Sequence, residues 1–155
     1  MKFADGVIAY EGEVLTMHPN LEIAALINQQ DCLSLYSLHE RGPNQLELII
    51  SGADIKTPKK WKPEFPVFRL FWNRYAAFLV TEEMVGSCGN GPEELYQGRH
   101  LRLYSKSHFL DHLSRDTGAH LKALIHYKIV CLDHLVDVAA TSPPVLELID
   151  DKPRT

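Results

Sequence analysis

The sequence predicts an α+β domain, an antiparallel or mixed β-sheet of about seven or eight strands with one main helix packed on it. Three observations lead there. Short apolar runs rich in β-branched and aromatic residues cluster in two groups, one or two helical segments lie between them, and the regular strand–helix alternation of a doubly wound fold is missing. The chain has 155 residues, 45% of them apolar, which suits one continuous core and a single domain over 1–155.

The elements follow in chain order. A short helix over 21–27 is expected after Pro19-Asn20, although the first thirty residues carry no clean period. A strand over 32–38 places Leu33, Leu35 and Tyr36 near a period of two. Arg41-Gly42-Pro43-Asn44 supplies a turn, and a second strand over 46–50 completes a hairpin. Residues 56–66 hold three prolines and four lysines, the composition of an extended surface loop.

Strand-like runs over 67–72 and 75–81 flank Asn73-Arg74, which reads as the tight connection of a second hairpin. The glycine-rich stretch 86–98 is a long loop with one turn of helix at 93–96. A strand over 100–104 leads to Ser107, placed to cap a helix with Asp111 in its first turn. Phe109, Leu110 and Leu113 share one face of that helix, and Gly118 lies beyond its end. Three further strands are expected over 125–132, 135–140 and, after Pro143-Pro144, 145–149.

Bulk properties narrow the function classes. A formal net charge of -4 provides no global attraction to nucleic acid or anionic lipid. No apolar run approaches the roughly 18 residues of a membrane span, and the N-terminus lacks the basic and apolar regions of an export signal. We therefore expect a cytoplasmic protein with no membrane partner. Cys32, Cys88 and Cys131 stand at wide spacing without a C-x-x-C pair, as free thiols in a reducing compartment do.

Six of the eight histidines (His100, His108, His112, His120, His126 and His134) fall between 100 and 134. His108 and His112 are four apart on the expected helix, about 5–6 Å apart at Cβ, so they could share zinc or another divalent metal. His134 is the third candidate ligand, with Asp111 and Asp133 as oxygen donors and His126 as an alternative nitrogen. This is the basis of an alternative reading as a metal-dependent hydrolase or nuclease. The H-E-x-x-H pattern is absent, and a solvated helix face explains the same spacing.

Other chemistries lack a component. Cys88 sits among Gly86, Gly89 and Gly91, where amides could form an oxyanion hole, but its surroundings match no cysteine-nucleophile signature. The same loop lacks the G-K-[ST] ending of a phosphate cradle. Asp133-His134 invites comparison with HNH nucleases, yet no histidine follows His134 to complete that unit. Trp61 among its lysines could stack on a single-stranded nucleic acid, but a solvated loop is the favoured reading in an acidic chain. No catalytic residue is assigned.

The aromatic residues give the other lead. Alternation places Phe68, Leu70 and Trp72 on one face of a strand, with Arg69 and Phe71 on the other. Exposed aromatics beside arginine are common at protein interfaces, so Trp61, Phe71 and Trp72 are the candidate partner-binding residues. Packing under the 108–116 helix is the competing explanation.

The stretch 33–80, with its strand, Gly-Pro turn, second strand, Pro-Lys-Lys-Trp loop and third strand, resembles small bacterial immunity proteins of polymorphic-toxin systems. The later segments Tyr96-x-Gly98, 101–111 and His126-Tyr127-x-Ile129-Val130-Cys131-x-x-His134-x-x-Asp137-Val138 look like uncharacterised proteins of spore-forming bacteria. The first resemblance implies a non-catalytic protein that binds and blocks a partner such as a toxin domain, with no cofactor and no active-site residues.

Overall fold

The structure, a computed structural model, describes residues 20–56, 64–82, 93–117 and 124–149, together with three short strands nearer the start. Those three, β1 (Lys2–Ala4), β2 (Val7–Tyr10) and β3 (Glu13–Thr16), form an antiparallel meander where no clean period is visible in the sequence. No helix among the described residues is long and apolar enough to cross a membrane.

The remaining chain is α+β, with nine strands in two antiparallel sheets. One sheet has the order β12-β6-β5-β4 and the other β7-β11-β10-β9-β8. In chain order the elements are α1 (Leu21–Gln29), β4 (Cys32–Gly42), β5 (Gln45–Ala53), β6 (Val67–Trp72), β7 (Tyr75–Glu82) and β8 (Leu95–Gln97). They continue with β9 (Leu101–Lys106), α2 (His108–Thr117), β10 (Ile125–Val130), β11 (His134–Ala140) and β12 (Val145–Ile149).

The first expected hairpin forms. β4 and β5 pair from Cys32↔Ala53 to Gly42↔Gln45, and Asn44 takes the left-handed backbone (φ 59°) that its turn requires. The second expected hairpin does not. β6 pairs with β5 and β12, whereas β7 pairs with β11, so residues 73–74 are a corner between sheets. Asn44 explains the difference physically. Its carbonyl accepts the Tyr75 amide at 2.9 Å and its side-chain amide donates to the Tyr75 carbonyl at 3.2 Å, so pairing on the β5 side continues through the corner. Residues 141–144, with Pro143-Pro144, turn the same corner for β11 and β12. One long two-stranded ribbon therefore bends from one sheet into the other, as in sandwiches whose strands switch sheets at bends.

A single apolar core receives side chains from both sheets, among them Leu46, Leu48, Ile50, Phe68, Leu70 and Trp72 from one and Leu101, Leu103, Tyr127, Ile129, Val136 and Val138 from the other. Alternation along each strand dictates this selection, because successive residues face opposite sides of the sheet.

α1 also enters the core. Asn20 caps it by accepting the Ile23 amide at 3.0 Å, and Ala24 and Ile27 on its inner face are buried. α2, the helix most clearly marked in the sequence, leaves His108, Asp111, His112, Ser114 and Arg115 exposed, so the core-sealing helix is α1. Residues 95–97, at the end of the segment expected to turn helically, instead form β8, pairing Tyr96 with Tyr104. Gly98 (φ +99°) then lets the chain reverse into β9, and a Cβ there would collide with the Leu101 carbonyl oxygen.

The end of α1 is fastened to the start of β9. Asn28 Oδ1 accepts the backbone amides of Arg99, His100 and Leu101 at 3.0, 2.8 and 2.9 Å. His100 Nε2 lies 2.7 Å from the Gln30 carbonyl oxygen, to which it donates.

Candidate functional site

The densest polar chemistry in the described residues lies on the outer face of the five-stranded sheet. The cross-strand rows Tyr104–His126–Ala139 and Arg102–Lys128–Asp137 are fixed by register, and alternation turns them away from the core. His126 Nδ1 lies 2.6 Å from Ser107 Oγ, and His126 Nε2 lies 2.7 Å from Asp137 Oδ1. Lys128 Nζ stands 3.6 Å from the same carboxylate oxygen. Ser107 also accepts the Leu110 amide at 3.1 Å as the cap of α2.

One hydrogen arrangement satisfies every member. Nε2–H donates to Asp137, Nδ1 accepts the Ser107 hydroxyl proton, and Ser107 Oγ accepts from Leu110. Aromatic rings clamp the imidazole: Tyr104 stacks on it at 4.3 Å and 18°, and Phe109 of α2 meets it at 5.0 Å. Tyr96 continues the stack against Tyr104, with the Arg102 guanidinium 4.4 Å from its centroid. Burial, first among the causes, pushes the Tyr104 hydroxyl above its usual pKa.

A serine–imidazole–carboxylate array is the constellation of nucleophilic hydrolases, here with the two ring nitrogens exchanged relative to the serine protease template. Access and the supporting donors distinguish this one. Ser107 and His126 are each only 2% exposed. Two amides that follow Ser107 in the chain are engaged, His108 N with Glu94 Oε1 at 3.1 Å and Leu110 N with Ser107 itself. The array therefore works as a latch that fixes the N-terminus of α2 to β10 and β11.

The metal ligands expected from the sequence lie on different elements. His108 and His112 are exposed on α2, while His134 is half-buried at the start of β11, opposite Glu82 of β7. His126 is committed to Ser107 and Asp137, and His100 to Gln30. Among the described residues no three His, Cys, Asp or Glu side chains come close enough to hold a metal ion. His120, Cys88 and most of the lysine-rich loop lie outside the described residues.

The three partner-binding candidates separate in the same way. Trp61 lies outside the described residues. Trp72 is fully buried, edge-on to Tyr127 at 6.0 Å, so it is a core residue, because its strand turns the even positions inward. Phe71 faces outward and is half-buried, as alternation requires.

Phe71 belongs to a patch that the sequence outlined only in part. Register aligns Val145, Phe71, Glu47 and His39 in one row across the four-stranded sheet, and Glu147, Arg69, Ile49 and Ser37 in the next. Arg69 donates to Glu47 at 2.6 Å and to Glu147 at 2.9 Å, and its guanidinium lies 4.8 Å from the Phe71 ring centroid. Arg41 donates to Glu47 at 2.6 Å. Burial works against the Glu47 carboxylate, but hydrogen bonds from Arg41 and Arg69 outweigh it and hold the group below its usual pKa.

These shifts set an expected acid profile. His100 is held below its usual 6.5 first by burial, with Arg99 and Arg102 adding to the effect and the Gln30 carbonyl and Asp31 opposing it. Its contribution to stability is therefore complete above 6.5 and declines as pH falls towards the folded value. Glu47, also depressed in the folded chain, contributes fully above its usual 4.5 and loses that contribution as pH falls through the folded value. Thermal melts across pH should be flat between about pH 7 and 8, fall below 6.5 and fall again below 4.5. His100→Asn should remove the upper step, and Glu47→Gln the lower one.

The two described thiols are inert by position. Cys32 Sγ donates to the Ala53 carbonyl at 3.0 Å, and burial pushes Cys131 up to about 12. Comparison with known proteins finds no matching family model, curated protein or solved structure, which leaves the chemistry of these side chains to carry the functional reading.

Proposed function

We propose that this chain is a non-catalytic protein-binding module of the immunity type, and that it blocks its partner through the outer face of the four-stranded sheet. The observation that carries this reading is the Phe71–Arg69 patch. It combines an aromatic ring, a guanidinium stacked on it and a flanking apolar residue, Val145, that is 47% exposed. Aromatic and arginine side chains dominate binding energy at protein interfaces.

The patch is preorganised. Glu47 and Glu147 hold Arg69 in place, so little side-chain freedom remains to be lost on binding. The negative balance of the chain suits a partner whose contacting surface is basic, such as a toxin domain, and favours rapid encounter. The sealed Ser107–His126–Asp137 array supports the non-catalytic half of the reading.

The test is calorimetry between the purified chain and the product of a toxin gene encoded beside its own, paired with a growth-protection assay. One-to-one binding with protection is expected. Phe71→Ala should weaken binding by about 2 kcal/mol, the size of an interface hot spot, with the melting temperature nearly unchanged. Absence of binding to that product, or binding indifferent to Phe71→Ala, would refute the proposal.

A further inference from the structure

The charged side chains around Phe71 form one line of ion pairs that crosses the whole four-stranded sheet. Arg41 of β4 donates to Glu47 of β5, Glu47 also accepts from Arg69 of β6, and Arg69 donates to Glu147 of β12. Each strand supplies one member, and the signs alternate. Register sets Glu147 directly opposite Arg69, while Arg41 sits at the bulge between Glu40 and Gly42.

The two inner members are spent within the line. Glu47 is buried under hydrogen bonds from both arginines, and Arg69 divides its donors between Glu47 and Glu147. The two outer members differ. The Arg41 side chain is 56% exposed and that of Glu147 is 51% exposed, and each meets the line from one side only. Two bonds to one Glu47 oxygen, from Nε and Nη2, fix the Arg41 guanidinium in place. Glu40 does not cancel its charge on this face, because Glu40 pairs with the inward Leu46 and accepts the Tyr75 hydroxyl.

The face therefore ends in a cation at β4 and in an anion at β12, three strand spacings or about 14 Å apart. Phe71 and Val145, opposite each other on β6 and β12, put the apolar contact nearer the anionic end.

We propose that this line of charges orients the protein partner: a basic side chain of the partner lands on Glu147, an apolar one on Phe71 and Val145, and an acidic one on Arg41. The inference rests on the reading of this face as the binding surface and adds which way round the partner lies. Net negative charge draws a basic partner towards the chain but does not distinguish one end of the face from the other. Two exposed charges of opposite sign do, because turning the partner end for end sets like charges against each other at both ends.

Calorimetry of the full chain with the product of the neighbouring toxin gene tests this through three variants. Arg41→Gln and Glu147→Gln should each weaken binding about fivefold, although they move the net charge in opposite directions. Attraction by net charge alone gives a different result, since Arg41→Gln makes the chain more negative and would then bind a basic partner at least as tightly as the native protein does. When the partner's acidic residues are neutralised one at a time, one of them should be non-additive with Arg41→Gln and additive with Glu147→Gln. Glutamine at 147 keeps an oxygen for Arg69, and Arg69 still holds Glu47 when Arg41 is replaced, so melting temperatures should stay near the native value. Weaker binding by Phe71→Ala with native binding by either charge variant would overturn the orientation alone. Binding indifferent to Phe71→Ala, or no binding at all, would overturn it together with the reading on which it rests.

Discussion

His126→Ala is expected to lower the unfolding free energy by about 3 kcal/mol, the cost of leaving a buried carboxylate without its hydrogen-bond donor. The substitution removes the donor to Asp137, whose side chain is 9% exposed, and leaves that carboxylate with Lys128 at 3.6 Å. It also takes the acceptor from the Ser107 hydroxyl and empties the slot between Tyr104 and Phe109. Guanidinium titration gives the total loss. Amide exchange gives its location, because fast exchange should spread from the first turn of α2. Asp137→Asn retains an oxygen acceptor for Nε2–H and should cost less. A loss below about 1 kcal/mol for His126→Ala would place this array among ordinary surface contacts.

Asn28→Ala should cost about 3 kcal/mol, because one side-chain oxygen answers three consecutive backbone amides and each unsatisfied donor costs about 1–3 kcal/mol where water does not replace it. Asn28→Asp keeps the acceptor and adds a negative charge beside the Arg99, His100 and Leu101 amides, so its stability should stay within about 1 kcal/mol of the native chain. Denaturant midpoints separate the two variants. Equal losses for alanine and aspartate would show that the three amides do not depend on the oxygen.

The contrast between these two sites shows what was legible beforehand. α1, β4, β5 and the strands of the last third follow from local pattern, and Ser107 is recognisable as a helix cap from its position. The inward set Phe68, Leu70 and Trp72 also follows from alternation. Alternation assigns faces but not direction, however, so the sequence leaves Trp72 beside Phe71 as a candidate contact residue although only Phe71 faces outward. The latch was harder to foresee. His126, Lys128 and Asp137 interrupt apolar runs, and a buried polar group needs a partner. Which partner each finds depends on the registers of three strands and a helix, which no local window contains. The described histidines illustrate the converse, since neighbours in sequence between 100 and 134 scatter across a helix face, a sheet face and two strand ends.

The corner at residues 73–74 bears on how the molecule is made. Because β6 and β7 belong to different sheets, the whole five-stranded sheet, β7 to β11, is inserted in the chain between β6 and β12 of the other. The four-stranded sheet begun by β4 is finished by β12, the last described strand, and β7 waits for β11. Cutting the chain at either corner would separate β12 from β4, β5 and β6 and leave the four-stranded sheet incomplete. Closure depends on contacts between distant parts of the sequence, the kind that slow folding and make it all-or-none. During synthesis, β4, β5 and β6 therefore leave the ribosome with apolar faces unmatched until the later strands emerge, an interval in which their unpaired edges are most exposed to the wrong neighbour.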